Sequence, residues 1–327
     1  LTPGPGPPNV RTPHAARARR GAPLEWGPRR PGPEPNGRRE TVPTLAAAND
    51  HAGSGSRTVR CSTTLEGALN RPRDPLPTRV QDLPPLPETY HATLDDGLRA
   101  IGLALDGAAR SALDGHVRLL LAWTTAINLT AIRDPAEVAR LHVLDSVAAV
   151  DLLRARGADR VLDLGSGGGF PGLPLAIALP ASRTLLVDSV GKKVAFLDAV
   201  IGALGLSGRV EAIASRSEPL AHGHDRGSWP VVTARAVASI AELVEIGLPL
   251  VAPGGVLVAW KRGPVDAELQ AAGPALATLR AGTVGVVPEP VPGLDDHRLI
   301  VIPRGGPIDG RFPRDPGERR RHPLGAR

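Results

Sequence analysis

The stretch Asp163-Leu164-Gly165-Ser166-Gly167-Gly168-Gly169-Phe170-Pro171-Gly172 limits what this chain can fold into more than any other. It continues an apolar run, Val161-Leu162-Asp163-Leu164, and leads into a segment with Pro171 near its start. A continuous apolar run suits a strand covered on both faces. The glycines allow a sharp backbone turn and remove the Cβ atoms that would block a close ligand. Strand, glycine turn and helix, in that order, make the binding unit of an open α/β sheet, whose ligands lie beyond the carboxyl ends of the strands.

From Gly157 onward, short apolar runs alternate with helical stretches. The runs Arg160–Leu164, Arg183–Asp188, Arg209–Ala214, Pro230–Arg235 and Gly255–Trp260 are predicted strands, followed by Thr283–Val287 and Arg298–Ile302. The alternation predicts an α/β fold with a parallel, doubly wound sheet. Only a Pro/Gly-rich connection joins the last two runs, so they are expected to pair antiparallel at the sheet edge. Upstream, Leu113, Val117, Leu120 and Thr124 mark one face of a helix. Asp134-Pro135-Ala136-Glu137 starts another, with Asp at N-cap, Pro at N1 and Glu at N3, and it is predicted to run to about Arg154. The expected organisation is an extension over 1–89, a helical subdomain over 90–156, an α/β domain over 157–303 and a basic tail over 304–327.

Composition separates the extension from the rest. Residues 1–89 hold 17 of the 35 prolines and show no hydrophobic periodicity. Such a segment cannot offset its ordering entropy by burial, and it is read as disordered and dispensable. The chain has no methionine, even at position 1; the reading adopted is translation begun upstream of the true start. Of the net charge of +6, residues 1–89 carry +5 and residues 304–327 carry +4, leaving −3 for the middle. The tail therefore reads as an arm for phosphate groups. The single cysteine, Cys61, excludes a disulfide framework and a cysteine-based zinc site. His222 and His224 lack partners for a metal, so no metal is expected. The longest apolar stretch, Leu243 to Trp260, is broken by Glu245, two prolines and a Gly-Gly pair, and is not read as a membrane span. With no signal-peptide core either, the chain is read as soluble and cytoplasmic.

The glycine stretch does not fit the dinucleotide fingerprint, which would need glycine where Phe170 stands. Asp163 just before the glycines is a pattern common in S-adenosylmethionine enzymes. Asp188 closes the second strand 23 residues after Gly165, where a carboxylate can accept both hydroxyls of a ribose.

Asn128-Leu129-Thr130-Ala131, Arg133-Asp134-Pro135 and His142-Val143-Leu144-Asp145-Ser146 resemble the N-terminal signature of the RsmG (GidB) family. The match continues in order through Asp163 to Pro174, Asp188-Ser189, Lys192-Lys193, Ser215-Arg216 and Ala234-Arg235-Ala236. It reaches Phe312-Pro313-Arg314, Pro316-Gly317 and Pro323-Leu324, covering roughly residues 90–324. The resemblance implies a Rossmann-like class I methyltransferase that moves a methyl group from S-adenosylmethionine to N7 of guanine 527 in 16S rRNA, with 16S rRNA or the small ribosomal subunit as partner. It implies cofactor contacts at Gly165, Phe170, Ser217, Glu218 and Arg235, beside Asp188. One departure stands out: the family often has Arg directly before the histidine of the HxLDS block, whereas Leu141 stands here and Arg140 one step earlier.

The chemistry so implied needs few groups. Guanine N7 has a free lone pair and no proton, so no general base is required. A cysteine-based base methylation is not expected, because Cys61 lies in the extension. The candidates for RNA contact are His142, Lys192, Lys193, Lys261, Arg262, Arg314, Arg319, Arg320 and Arg321. His142 reads equally as a satisfied structural histidine, with Asp145 capping or orienting it from three residues away. Trp260 reads either as a stacking platform for a base or as core. The alternatives left open are a same-fold methyltransferase acting on a small molecule or protein, and a non-catalytic RNA-binding protein with a relict pocket.

Overall fold

The structure, a computed structural model, describes residues 76–325. The apolar runs form seven strands: β1 (Arg160–Leu164), β2 (Arg183–Asp188), β3 (Val210–Ala214), β4 (Trp229–Arg235), β5 (Val251–Arg262), β6 (Gly285–Pro288) and β7 (His297–Pro303). They make one sheet in the order β3-β2-β1-β4-β5-β7-β6. The first five strands in that order pair parallel, while β7 pairs antiparallel with both β5 and β6. The order reverses between β1 and β4, which places a crevice at their carboxyl ends.

Side-chain alternation divides the core in two. Val161, Val231, Val256, Val258, Leu299 and Val301 enter one cluster. Leu162, Leu164, Val232, Leu257, Ile300 and Ile302 enter the other. The first cluster is completed by α1 (Glu88–Ala100), α2 (Gly107–Trp123), α3 (Pro135–Val138), a π-helical turn (Ala139–Leu144), α4 (Asp145–Val147) and α5 (Val150–Ala155). The helices α6 (Gly172–Ala178) and α7 (Gly191–Ala203) pack on the same face. The second cluster is closed by α8 (Ser217–Ala221), α9 (Ile240–Gly247), α10 (Asp266–Ala271) and α11 (Gly273–Thr278). Helix starts follow the sequence signals. Asp106 caps α2 by accepting from Ala109 N–H, Asp134 caps α3 ahead of Pro135, and Ser239 caps α9 through Glu242 N–H.

Four expectations change. First, the helices over 90–156 are no separate subdomain, because they share one hydrophobic core with the sheet. Second, order begins ahead of residue 90: Leu76, Val80, Leu83 and Leu86 pack on that core, and Trp123 Nε1–H donates to Pro77 O at 2.6 Å. The remainder of the extension, with Cys61, lies outside the described residues. Third, the helix from Pro135 is not regular to Arg154 but passes through the π-helical turn and a break at 148–149. Fourth, the basic tail folds. Asp315 caps α12 (Pro316–Arg321), and Phe312 is buried in the second cluster. The tail is held by contacts that composition does not reveal. Arg226 donates to the carbonyls of Phe312, Ile308 and Asp309, and His222 Nε2 lies 2.9 Å from Pro313 O. Among the described residues no helix is long and apolar enough to cross a membrane.

Candidate active site

The glycine loop is fixed from beneath by hydrogen bonds to β2. Gly165 and Ser166 N–H both donate to Val187 O, at 2.8 and 3.0 Å. Gly165, Gly167 and Gly169 all have positive φ, at 69°, 54° and 89°. At Gly169 a Cβ would also stand 2.9 Å from His116 Nε2, so glycine is required twice over. Asp188 ends β2 with a buried carboxylate that accepts from Gly167 N–H at 3.0 Å and Val190 N–H at 2.9 Å. A carboxylate has about four lone-pair sites, of which these two bonds occupy two.

Asp163 serves the loop without reaching the cleft. It is fully buried at the end of β1, accepting from Thr233 Oγ1–H at 2.7 Å and Gly172 N–H at 3.2 Å. Burial raises its pKa to about 6, against the pull of these hydrogen bonds. It ties β1, β4 and the start of α6 into one frame.

Phe170 sits in a ring cluster. Its ring lies 4.6 Å from His116 and 4.8 Å from His142, in both cases near parallel, and the Arg235 guanidinium lies 5.2 Å from its centroid. His116 Nε2–H donates to Gly168 O at 2.8 Å. Burial lowers His116 to about 4; burial and then the nearby Arg235 charge lower His142 to about 4. Both are neutral at physiological pH. His142 Nε2 lies 2.8 Å from Thr130 Oγ1.

Arg235 ends β4 and crosses to the helices. It donates to Leu141 O at 3.2 Å and to Asp145 Oδ2 at 2.9 Å. Asp145 therefore does not orient His142, as the three-residue spacing suggested. Its carboxylate is taken by Arg235 and by His297 Nδ1 at 2.7 Å. The π-helical turn, a feature common at functional sites, helps set where His142 and Asp145 point. The cleft between the loop and these groups has a volume of about 590 Å³.

The other expected site residues fall in three places. Lys192 and Lys193 lie in the first turn of α7, Lys193 Nζ at 4.0 Å from Asp188 and Lys192 exposed. Arg262 is 72% exposed at the cleft rim, beside Asp296. Lys261 and Trp260 lie at the end of β5. Both line the cleft, but each already has partners: Lys261 Nζ donates to Ala238 O and Glu268, and the buried Trp260 donates to Asp145 O. Arg314 and Arg319 are engaged within the fold: Arg314 forms a bidentate pair with the buried Glu245, and Arg319 is buried against Glu218 and Glu242. Ser217 and Glu218 open α8 and, like Asp188, are not among the residues that wall the cleft; Glu218 faces Arg319 at 2.7 Å. Arg320 and Arg321 are exposed. His116, Thr130 and His297 were missed. The Asn-Leu-Thr-Ala block could have pointed to Thr130; His116 and His297 carried no local signal.

An open sheet reversing between β1 and β4, an antiparallel β7 and a glycine loop closed by an acid on β2 define the class I methyltransferases. The model of the family described as rRNA small subunit methyltransferase G matches residues 109–288. Three relatives are each named ribosomal RNA small subunit methyltransferase G. That of Roseiflexus castenholzii is 39% identical over 68% of this chain and 95% of its own length. That of Sorangium cellulosum is 39% identical over 70% and 95%, and that of Burkholderia thailandensis 45% identical over 56% and 79%. The chain belongs to the ribosomal RNA small subunit methyltransferase G family.

Proposed function

We propose that this chain transfers the methyl group of S-adenosylmethionine to N7 of guanine 527 in 16S rRNA, in the cytoplasm, acting on 16S rRNA or the small subunit. The observation that carries the reading is the cleft itself, walled by the glycine turn, by the Phe170 ring and by the neutral His142 stacked on it, with the Asp188 carboxylate bonded to the turn.

The residues fit the cofactor. A cleft of about 590 Å³ lies within the range of small-molecule sites. Asp188 has lone pairs for ribose hydroxyls, and Gly165 and Gly167 let a ligand approach the backbone. When bound, the cofactor supplies a methyl group already activated by its sulfonium. What the chain must do is orient. Gly165–Phe170 and Asp188 hold one reactant, with Phe170 fixed by His116, His142 and Arg235. Ser217 and Glu218 are retained as contacts at the adenosine end, on family resemblance. The base enters from the side of Thr130 and His142, and holding its N7 in line supplies the rate gain. The exposed cations Lys192, Arg262, Arg320 and Arg321 take phosphates.

Methylation of purified small subunits and of naked 16S rRNA with labelled cofactor, followed by mapping of the modified base, tests this. Label at guanine N7 of one position is the expected result. Label elsewhere, or none on either RNA, would refute it.

A further inference from the structure

His297 performs no step in the mechanism above, yet it is built into the wall of its cleft. It opens β7, opposite Arg262 on β5. Its Nδ1 lies 2.7 Å from Asp145 Oδ1, and since a carboxylate can only accept, the ring N–H is the donor. The other oxygen of Asp145 accepts from Arg235 at 2.9 Å, and the main-chain carbonyl accepts from Trp260 Nε1–H at 2.8 Å. Asp145 is thus pinned from β7, β4 and β5 at once, with its side chain 2% exposed. Arg235, so held, lies 5.2 Å from the Phe170 ring in the glycine loop.

A chain of contacts therefore runs from His297 through Asp145 and Arg235 to Phe170. Remove the N–H at its far end and Asp145 keeps one side-chain partner. The carboxylate can then rotate about that partner, carrying the guanidinium off Leu141 O and off the ring. A shift of about 1 Å in a positioned group can cost on the order of a hundredfold in rate. The other charged groups around the ring do not replace the contact. Asp296 Oδ1 lies 3.8 Å from Nε2, and the buried carboxyl of Glu289 has no hydrogen-bond partner.

We propose that His297 is a positioning residue that, through Asp145, fixes Arg235 and Phe170 and so sets the affinity of the glycine loop for its cofactor. The proposal rests on the reading of the cleft as an S-adenosylmethionine site. His297→Asn and His297→Leu give the sharpest test. The two side chains have similar size, both lose the ring, and only Asn can present an N–H where Nδ1–H stood. The full chain is titrated calorimetrically with S-adenosylhomocysteine, and its melting temperature is recorded. The expected result is a Kd raised at least tenfold in H297L and kept within about threefold of wild type in H297N, with similar melting temperatures for the two. In His297→Ala, added imidazole should lower the Kd. Equal affinities in H297N and H297L, or no response of H297A to imidazole, would overturn the proposal. Failure of the wild type to bind S-adenosylhomocysteine would instead overturn the cofactor reading on which it rests.

Discussion

At the scale of single residues, the site depends on positions where no other side chain fits. Gly169 combines a φ of 89° with a Cβ position that runs into Leu173 and His116. Gly169→Ala should destabilise the chain by about 1–3 kcal/mol, the range for overpacking, and weaken cofactor binding through Phe170. Urea denaturation and calorimetry would check both; wild-type values in each would refute the account. Glu289 is a different case, a buried carboxyl without a hydrogen-bond partner. Burial, reinforced by the Asp145 charge, raises its pKa to about 8. The folded state then holds a proton that the unfolded state loses near the ordinary glutamate pKa. Stability contributed at this site falls as pH rises from about 4.5 to 8, at roughly 1.4 kcal/mol per unit of pKa difference. Glu289→Gln should remove that fall, so the variant should exceed wild type in stability at pH 9 and approach it at pH 5. Parallel pH profiles for the two proteins would contradict the assignment.

At the scale of elements, the two ends of the described chain act against their composition. The tail reads as a solvated arm because arginine outnumbers acids there. In the fold, Arg314 neutralises Glu245, whose side chain is 2% exposed. Arg314→Ala leaves that charge buried alone and should cost about 3–5 kcal/mol. Arg321→Ala, on the exposed face of α12, should stay within about 0.5 kcal/mol. Equal melting temperatures for the two variants would restore the reading of a free arm. Upstream, a chain beginning at residue 76 should keep the stability of the full chain. One beginning at Tyr90 loses Leu76, Val80, Leu83 and Leu86 from the core and the partner of Trp123. A loss of about 2–4 kcal/mol is expected from that apolar area and hydrogen bond. Identical unfolding curves for the two truncations would show that residues 76–89 contribute nothing.

At the scale of the whole molecule, RNA contact falls to cations that the fold leaves free. Lys192, Arg320 and Arg321 are exposed. If each neutralises one phosphate, replacing all three with alanine should flatten the plot of log affinity against log salt by about 2 units, at roughly 0.7 per contact for single strands. Cofactor binding should be unchanged. An unaltered slope in a salt series would move the RNA surface elsewhere.

What the sequence determined by itself is local or periodic. Strand positions, the glycine loop, the acid closing β2 and the cap Asp134 are written in neighbouring residues, because dihedral preference and capping act over one to four positions. The ordered blocks Asn128–Ala131 and His142–Ser146 also carried the family. Tertiary structure alone decided the partners of the charged and ring side chains. Asp145 meets Arg235 and His297, 90 and 152 residues away; Arg314 meets Glu245, 69 residues away. Composition suggested free cations at Lys261, Arg314 and Arg319, but a long side chain can bury its charge wherever the fold brings an acid or a carbonyl within reach. Such pairings depend on which strands lie adjacent in the sheet, and nothing within four residues of either partner records that.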